Sequence, residues 1–196
     1  YLKSRGLGDV YKRQELHLPD DVALRFVFPH APVRPVTING GMAMRAWYDI
    51  ISLDAEGRAD AARVHESTAL LEALIAREKE RGIEAGKIVI AGFSMGGAIA
   101  INTALHTQER LAGLMALSTY LPLPGEVEGS RSHRDLPVFM AHGSFDPMLP
   151  MQWGQLSAEK LKEAGFPVEW HEYPMAHAVC PEEIRDIREW LLKIYA

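Results

Sequence analysis

Short apolar runs alternate along this chain with longer stretches in which apolar residues recur every three or four positions. The first run, LRFVF at 24–28, is β-rich and is broken by Pro29. Turn-forming sequence follows to Gly41, and then an aromatic patch at Trp47-Tyr48. Residues 58–81 predict a long amphipathic helix. Ala62, Val64, Leu70, Leu71, Leu74 and Ile75 fall near helical spacing, Arg and Glu fill the other face, and Gly82 ends it. Residues 87–91 (KIVIA) predict a compact strand, 92–97 a glycine-rich turn, and 98–106 a helix of small residues. Beyond it come a buried strand at 112–119, a polar loop at 122–134 and a strand at 136–141. A helix at 153–164, a strand at 167–172 and a closing helix at 182–195 complete the pattern, with Pro181 acceptable in a first turn.

Alternating short strands and helices predict an α/β fold, a mostly parallel sheet with helices on both faces. There is no internal repeat, and nothing marks a second domain, so 15–196 reads as one unit. Residues 1–14 stand apart. They carry four Lys/Arg against one Asp and have neither a strand nor a helix period, nor the apolar core of a secretory signal. They resemble the translated read-through of a sequencing-library adapter. The expectation is therefore a non-native segment in front of a domain incomplete at its amino terminus.

Composition narrows the class. Of 196 residues, 47% are hydrophobic and 24% charged, the mix of a soluble globule. No apolar run approaches the roughly 20 residues of a membrane span. A net charge of −5 gives no electrostatic reason to expect nucleic acid. Cys180 is the only cysteine, so no intramolecular disulfide forms and a reducing, cytoplasmic setting is the natural expectation.

The chemistry concentrates in Gly92-Phe93-Ser94-Met95-Gly96, a G-x-S-x-G between an apolar strand and a helix. Alone the pattern is weak. The strand–turn–helix setting is what a nucleophile elbow requires, because the serine must project beyond the sheet on a sharp turn. Glycines at 92 and 96 are expected to avoid collisions there, and Gly97 to allow close helix–sheet packing. A serine hydroxyl needs a base. Asp146 follows strand 136–141 and His177 follows strand 167–172, which gives the chain order serine, acid, histidine of elbow enzymes. Three other candidates compete. His142 reads as a core histidine bonded to backbone, His171 as a half-exposed strand position, and Cys180 as a partly buried free thiol. A metal cluster of His142, Asp146, His171 and His177 lacks any H-x-x-x-H or Cys/His spacing, so no metal is expected.

Five blocks in order carry a resemblance: PHAPVRPVTINGGMAMRAWYDI (29–50), IVIAGFSMGGAIA (88–100), LAGLMALSTYLP (111–122), VFMAHGSFDPMLP (138–150) and VEWHEYPMAHAV (168–179). They resemble the α/β-hydrolase carboxylesterases related to acyl-protein thioesterases, over about residues 21–195. The resemblance implies Ser94 as nucleophile, Asp146 as acid and His177 as base. It places Trp47-Tyr48-Asp49 beside the cleft, with Trp47 touching substrate; plain core aromatics are the other reading of that block. The family carries an upstream H-G-x-G loop that supplies one of two oxyanion donors. Arg5-Gly6-Leu7-Gly8 looks like it only superficially, so the Met95 N–H alone is assigned to the oxyanion hole.

The implied reaction is two-step acyl transfer to water with no cofactor, rising with pH through roughly 6–7 as a histidine base deprotonates. Small soluble esters or short-to-medium acyl chains are the expected substrates, since no lid-like insertion is visible. Thioesters and lysophospholipids share the chemistry. The competing expectations are a hydrolase impaired by the missing donor, about 10²–10³-fold in rate, and a binding module on the same fold. A homodimer is left open by the resemblance alone.

Overall fold

The computed structural model describes residues 15–19, 22–51, 59–128 and 133–196. These fall into two compact units: Ala31–Ala178, and the residues up to His30 together with Val179–Ala196.

In the larger unit, strands β1 (Val33–Val36) and β2 (Met42–Arg45) form an antiparallel hairpin. Helix α1 (Ala61–Glu80) follows, then β3 (Val89–Phe93), α2 (Met95–His106), β4 (Gly113–Leu117), β5 (Val138–Gly143), α3 (Met151–Glu163) and β6 (Val168–Tyr173). Strands β3-β4-β5-β6 lie side by side in that order, all parallel. Helix α2 packs on β3 and β4, α1 packs on α2, and α3 packs on β5 and β6. Every residue of β4 and β5 is buried, which accounts for their unbroken apolar runs. On one face Ile90, Leu114, Val138 and Met140 join Ile101, Leu105 and Leu161 in a single core cluster. On the other, Met115 and Phe139 are buried as well. Each fully buried Leu or Ile contributes about 1.5–3 kcal/mol.

The sheet matches the sequence pattern to within a few residues, and the departures have local causes. Residues 24–28 are not a strand; Leu24 and Phe26 are half-buried between exposed neighbours without a ladder partner being formed. The segment read as turns to Gly41 contains the β1–β2 hairpin. Its bend is a 3-10 turn (Thr37–Asn39) followed by Gly40 and Gly41 at φ of 66° and 74°, a conformation that favours glycine. Helix α1 starts later than expected. The Asp60 carboxylate accepts from Arg63 N–H at 3.3 Å and caps it, and residue 58 lies outside the described residues. Its buried stripe is Val64, Ser67, Thr68 and Ile75, while Leu70 faces solvent. Helix α2 begins at Met95, three residues before the expected start, so it opens directly behind Ser94. Part of the loop at 122–134 is a 3-10 turn (Pro124–Glu126), and 129–132 lie outside the described residues, as do 1–14.

In the smaller unit, α4 (Pro181–Ile194) opens on proline as the sequence predicts, and Arg188 Nε donates to the His17 carbonyl at 3.1 Å. Its buried face is Glu183, Ile187, Trp190 and Leu191. Among the described residues neither Glu183 carboxylate oxygen has a hydrogen-bond partner of good geometry. Burial pushes this carboxyl up to about 7; the Cys180 N–H opposes the shift and the like charge of Asp186 adds to it. The folded state therefore holds a proton that the unfolded chain has lost, and stability falls as pH rises from about 4.5 to 7. Glu183→Gln should remove that slope. Melting temperatures at pH 5 and pH 8 are expected to differ by roughly 5 °C less in the variant than in the parent; equal pH slopes would show that Glu183 is not the titrating group.

Candidate active site

Strand β3 delivers its last residue, Phe93, straight into Ser94, and α2 leaves straight from it. Ser94 has φ 54° and ψ −123°, a strained backbone for any residue but glycine. Three bonds hold it there. Its N–H donates to Leu117 O at 2.8 Å; its carbonyl accepts from Ala98 N–H at 3.1 Å and from the Thr119 hydroxyl at 2.7 Å. A Cβ on Gly92 would drive into the Gly96 carbonyl and Gly97 N, and one on Gly97 would stand 2.7 Å from the Thr119 methyl and 2.9 Å from Gly92 O. Strand and helix can approach this closely only without side chains at these two positions. Gly96 departs from the expectation: a Cβ there would make only an ordinary 3.6 Å contact with Trp47 Nε1.

Asp146 sits in the loop after β5. Its Oδ1 accepts from the N–H groups of Met148 (2.8 Å) and Leu149 (2.9 Å), and its Oδ2 accepts from His177 Nδ1 at 2.6 Å. The side chain is fully buried. Burial alone would raise this carboxyl, but the His177 bond and the two backbone donors outweigh it, so it is held below its ordinary value. The loop that carries His177 is tied to the Asp146 loop: Ser144 N–H donates to Tyr173 O at 2.8 Å and Phe145 N–H to Met175 O at 3.1 Å. Gly143 makes this approach feasible, because a Cβ there would lie 2.5 Å from Ala176 O and closer still to Met175 O. The His177 ring, 19% exposed, packs against the Phe93 ring at 4.7 Å between centroids. The imidazole thus stands between a buried carboxylate and the residue next to Ser94.

The other candidates have surroundings of their own. His142 is the expected core histidine. It is fully buried, its Nε2–H donates to Leu149 O at 3.0 Å, and burial pushes its pKa down, so the ring is neutral. Gly154 leaves room for the ring. Its Nε2 is also 3.4 Å from Asp146 Oδ2, a contact that no sequence pattern signals. His171 is half-exposed on β6, stacked on Phe139 at 4.6 Å. Cys180 is a partly buried free thiol. The aromatic block splits three ways. Tyr48 is core, with its hydroxyl 3.0 Å from that of Tyr120. Asp49 accepts from the Thr37 side chain and N–H, which lowers its pKa and closes the 3-10 turn. Trp47 is half-buried; its N–H points at Met95 Sδ (3.2 Å), its carbonyl accepts from Ser67 Oγ, and its indole lies over Gly96. The Ser67 contact needed the tertiary fold to be seen.

The family model described as Phospholipase/Carboxylesterase matches residues 6–195. This chain belongs to that family. The match covers the whole described sheet and begins within the amino-terminal segment that the sequence sets apart. The phospholipase/carboxylesterase assignment makes it a hydrolase of the α/β-hydrolase fold, as the five blocks implied. Acyl-protein thioesterase 1 of Mycosarcoma maydis is 41% identical over 187 residues, covering 87% of this chain and 78% of that protein. Acyl-protein thioesterase 1 homolog 1 of Dictyostelium discoideum is 37% identical, with 97% and 88% covered. Among solved structures, Arabidopsis thaliana SOBER1 superposes with a TM-score of 0.90 at 26% identity, covering 97% of this chain and 93% of that one. Zea mays acyl-protein thioesterase 2 gives 0.75 at 26%, covering 86% and 80%. Among the described residues of this family member, no helix is long and apolar enough to cross a membrane.

Proposed function

We propose that this chain is a serine hydrolase that cleaves acyl esters, with thioesters as the favoured class, through Ser94, His177 and Asp146. One observation carries the reading: His177 bonds to buried Asp146 at 2.6 Å while its ring packs on Phe93, next to the strained Ser94. His177 takes the Ser94 hydroxyl proton as the oxygen attacks the acyl carbonyl. Asp146 fixes the tautomer through Nδ1–H and stabilises the imidazolium. The Met95 N–H, at the opening of α2, donates to the oxyanion, where the helix dipole also favours negative charge. Histidine then protonates the departing alcohol or thiol, and water, activated by the same imidazole, releases the acid and restores Ser94.

The thioester preference is supported by relatives named as acyl-protein thioesterases at 37–41% identity. Phe145 and Met148, 71% and 68% exposed on either side of Asp146, offer apolar surface to an acyl chain. Trp47 over Gly96 would touch the substrate beside the nucleophile.

A fluorophosphonate probe should label the chain once, at Ser94, and Ser94→Ala should abolish labelling; a label that survives in the variant removes Ser94 from the role. The labelling rate should fall on acidification, because only a neutral imidazole accepts the proton. Asp146, held below its ordinary value, stays ionised in mild acid and adds no second step there. A flat profile would count against His177. Matched octanoyl oxygen and sulfur esters then compare kcat/KM; a higher value for the oxygen ester would reverse the substrate preference and leave the mechanism standing.

A further inference from the structure

At the far end of α2 from Ser94 three side chains meet that the hydrolase reaction does not use. His65 comes from α1, His106 is the last residue of α2, and Glu126 ends the 3-10 turn Pro124–Glu126. Their ligand atoms all lie within 4.8 Å of one another. His65 Nε2 is 2.9 and 3.1 Å from the two Glu126 oxygens, and His106 Nε2 is 3.0 Å from Oε2. We propose that His65, His106 and Glu126 form a binding site for a divalent transition-metal ion, zinc above all.

The positions of the hydrogens point to a cation. His106 Nδ1 is 2.8 Å from Asn102 O. A carbonyl can only accept, so the proton is on Nδ1 and Nε2 of the neutral ring carries a lone pair. That lone pair faces a carboxylate oxygen, which also only accepts. Two acceptors at 3.0 Å repel unless both are bound to one shared cation. A metal ion set to one side of the pair and bound by both removes that repulsion, and a histidine ligand held by a backbone carbonyl through its second nitrogen is the usual supporting arrangement. The end of α2 adds partial negative charge from its last carbonyls. Two imidazoles and one carboxylate suit zinc, with nickel, cobalt and copper as congeners; calcium and magnesium prefer oxygen alone.

The ion would clamp three elements, α1, α2 and the turn at 124–126, about 17 Å along α2 from the nucleophile. That makes it a fastener and not a participant in acyl transfer. No short H-x-x-x-H or Cys/His spacing marks this cluster in the sequence, because His65 and His106 come together only through the packing of α1 on α2.

The test uses the full chain stripped with a chelator. Titration with zinc chloride should show one site with Kd at or below about 10 µM. At a hundredfold excess over Kd the melting temperature should rise by roughly 5–10 °C. Cobalt should give visible d–d absorption. His65→Ala, His106→Ala and Glu126→Gln, all at half-exposed positions and so expected to fold, should each weaken zinc at least tenfold and lose the cobalt spectrum. His30→Ala, outside the cluster, should change neither. Absence of a melting shift, or a shift equal in His65→Ala and the parent, overturns the proposal. If a proton fills the gap instead, zinc has no effect and the variants lose stability only in acid, which overturns it equally.

Discussion

Replacing Ser94 by alanine should lower kcat for acyl-ester cleavage by about 10⁵–10⁶-fold and leave the protein folded. In the proposed reaction the loss is large because nucleophile and base act as one unit: without the hydroxyl, His177 has no proton to take. Asp146→Asn should cost about 10⁴-fold, since an amide nitrogen facing Nδ1 favours the wrong tautomer. Stability should move the other way in a third variant. Ser94 sits at φ 54°, a conformation worth about 1–3 kcal/mol of strain, so Ser94→Gly should be inactive and melt several degrees higher. Steady-state rates with an active-site titrant, beside calorimetry, check all three. An alanine variant retaining a tenth of the parent rate would end the serine-hydrolase account.

Gly92→Ala should be the most damaging single methyl group in the larger unit. Its Cβ would meet backbone atoms of Gly96 and Gly97, which belong to the first turn of α2. That turn cannot yield easily, because Ser94 is tied to Leu117 and Thr119 on the neighbouring strand and its extension. A cost of about 3 kcal/mol or more is expected, with a melting temperature lower by roughly 10 °C and little activity left. Gly96→Ala provides the contrast. Its Cβ has a 3.6 Å neighbour and alanine is the better helix former, so stability should change by less than about 1 kcal/mol. Comparable damage from both substitutions would mean that the elbow is not set by the strand–helix approach. The motif alone gives both glycines equal weight; only the coordinates separate them.

What the sequence disclosed follows from how local each signal is. Strands β3, β4 and β5 and the four helices were legible because inner strands of a parallel sheet form short apolar runs, and Gly82, Pro181 and the G-x-S-x-G turn punctuate them; β6, which carries Glu169, His171 and Glu172 at the sheet edge, shows apolar residues only at Val168, Trp170 and Tyr173. The meeting of Asp146 with His177 was foreshadowed because both lie just past the ends of neighbouring strands. The β1–β2 hairpin was missed: two prolines in five residues hid the alternation of Val33–Val36, although Asn39-Gly40 marks a bend. LRFVF at 24–28 misled in the other direction, since an apolar run carries no information about whether a partner strand is alongside. The contacts of Trp47 with Met95 and Ser67, the approach of His142 to Asp146 and the His65–His106–Glu126 cluster all join residues distant in sequence. No periodicity encodes them.

The backbone ties between the two loops after β5 and β6 have a consequence for how this protein would wear out. Since Ser144 and Phe145 are stitched to Tyr173 and Met175, opening one loop means opening the other. The carboxylate and the imidazole are then lost together. Ageing or warming should therefore yield a mixture of fully competent and wholly inert molecules, with no population of half-speed enzyme in between.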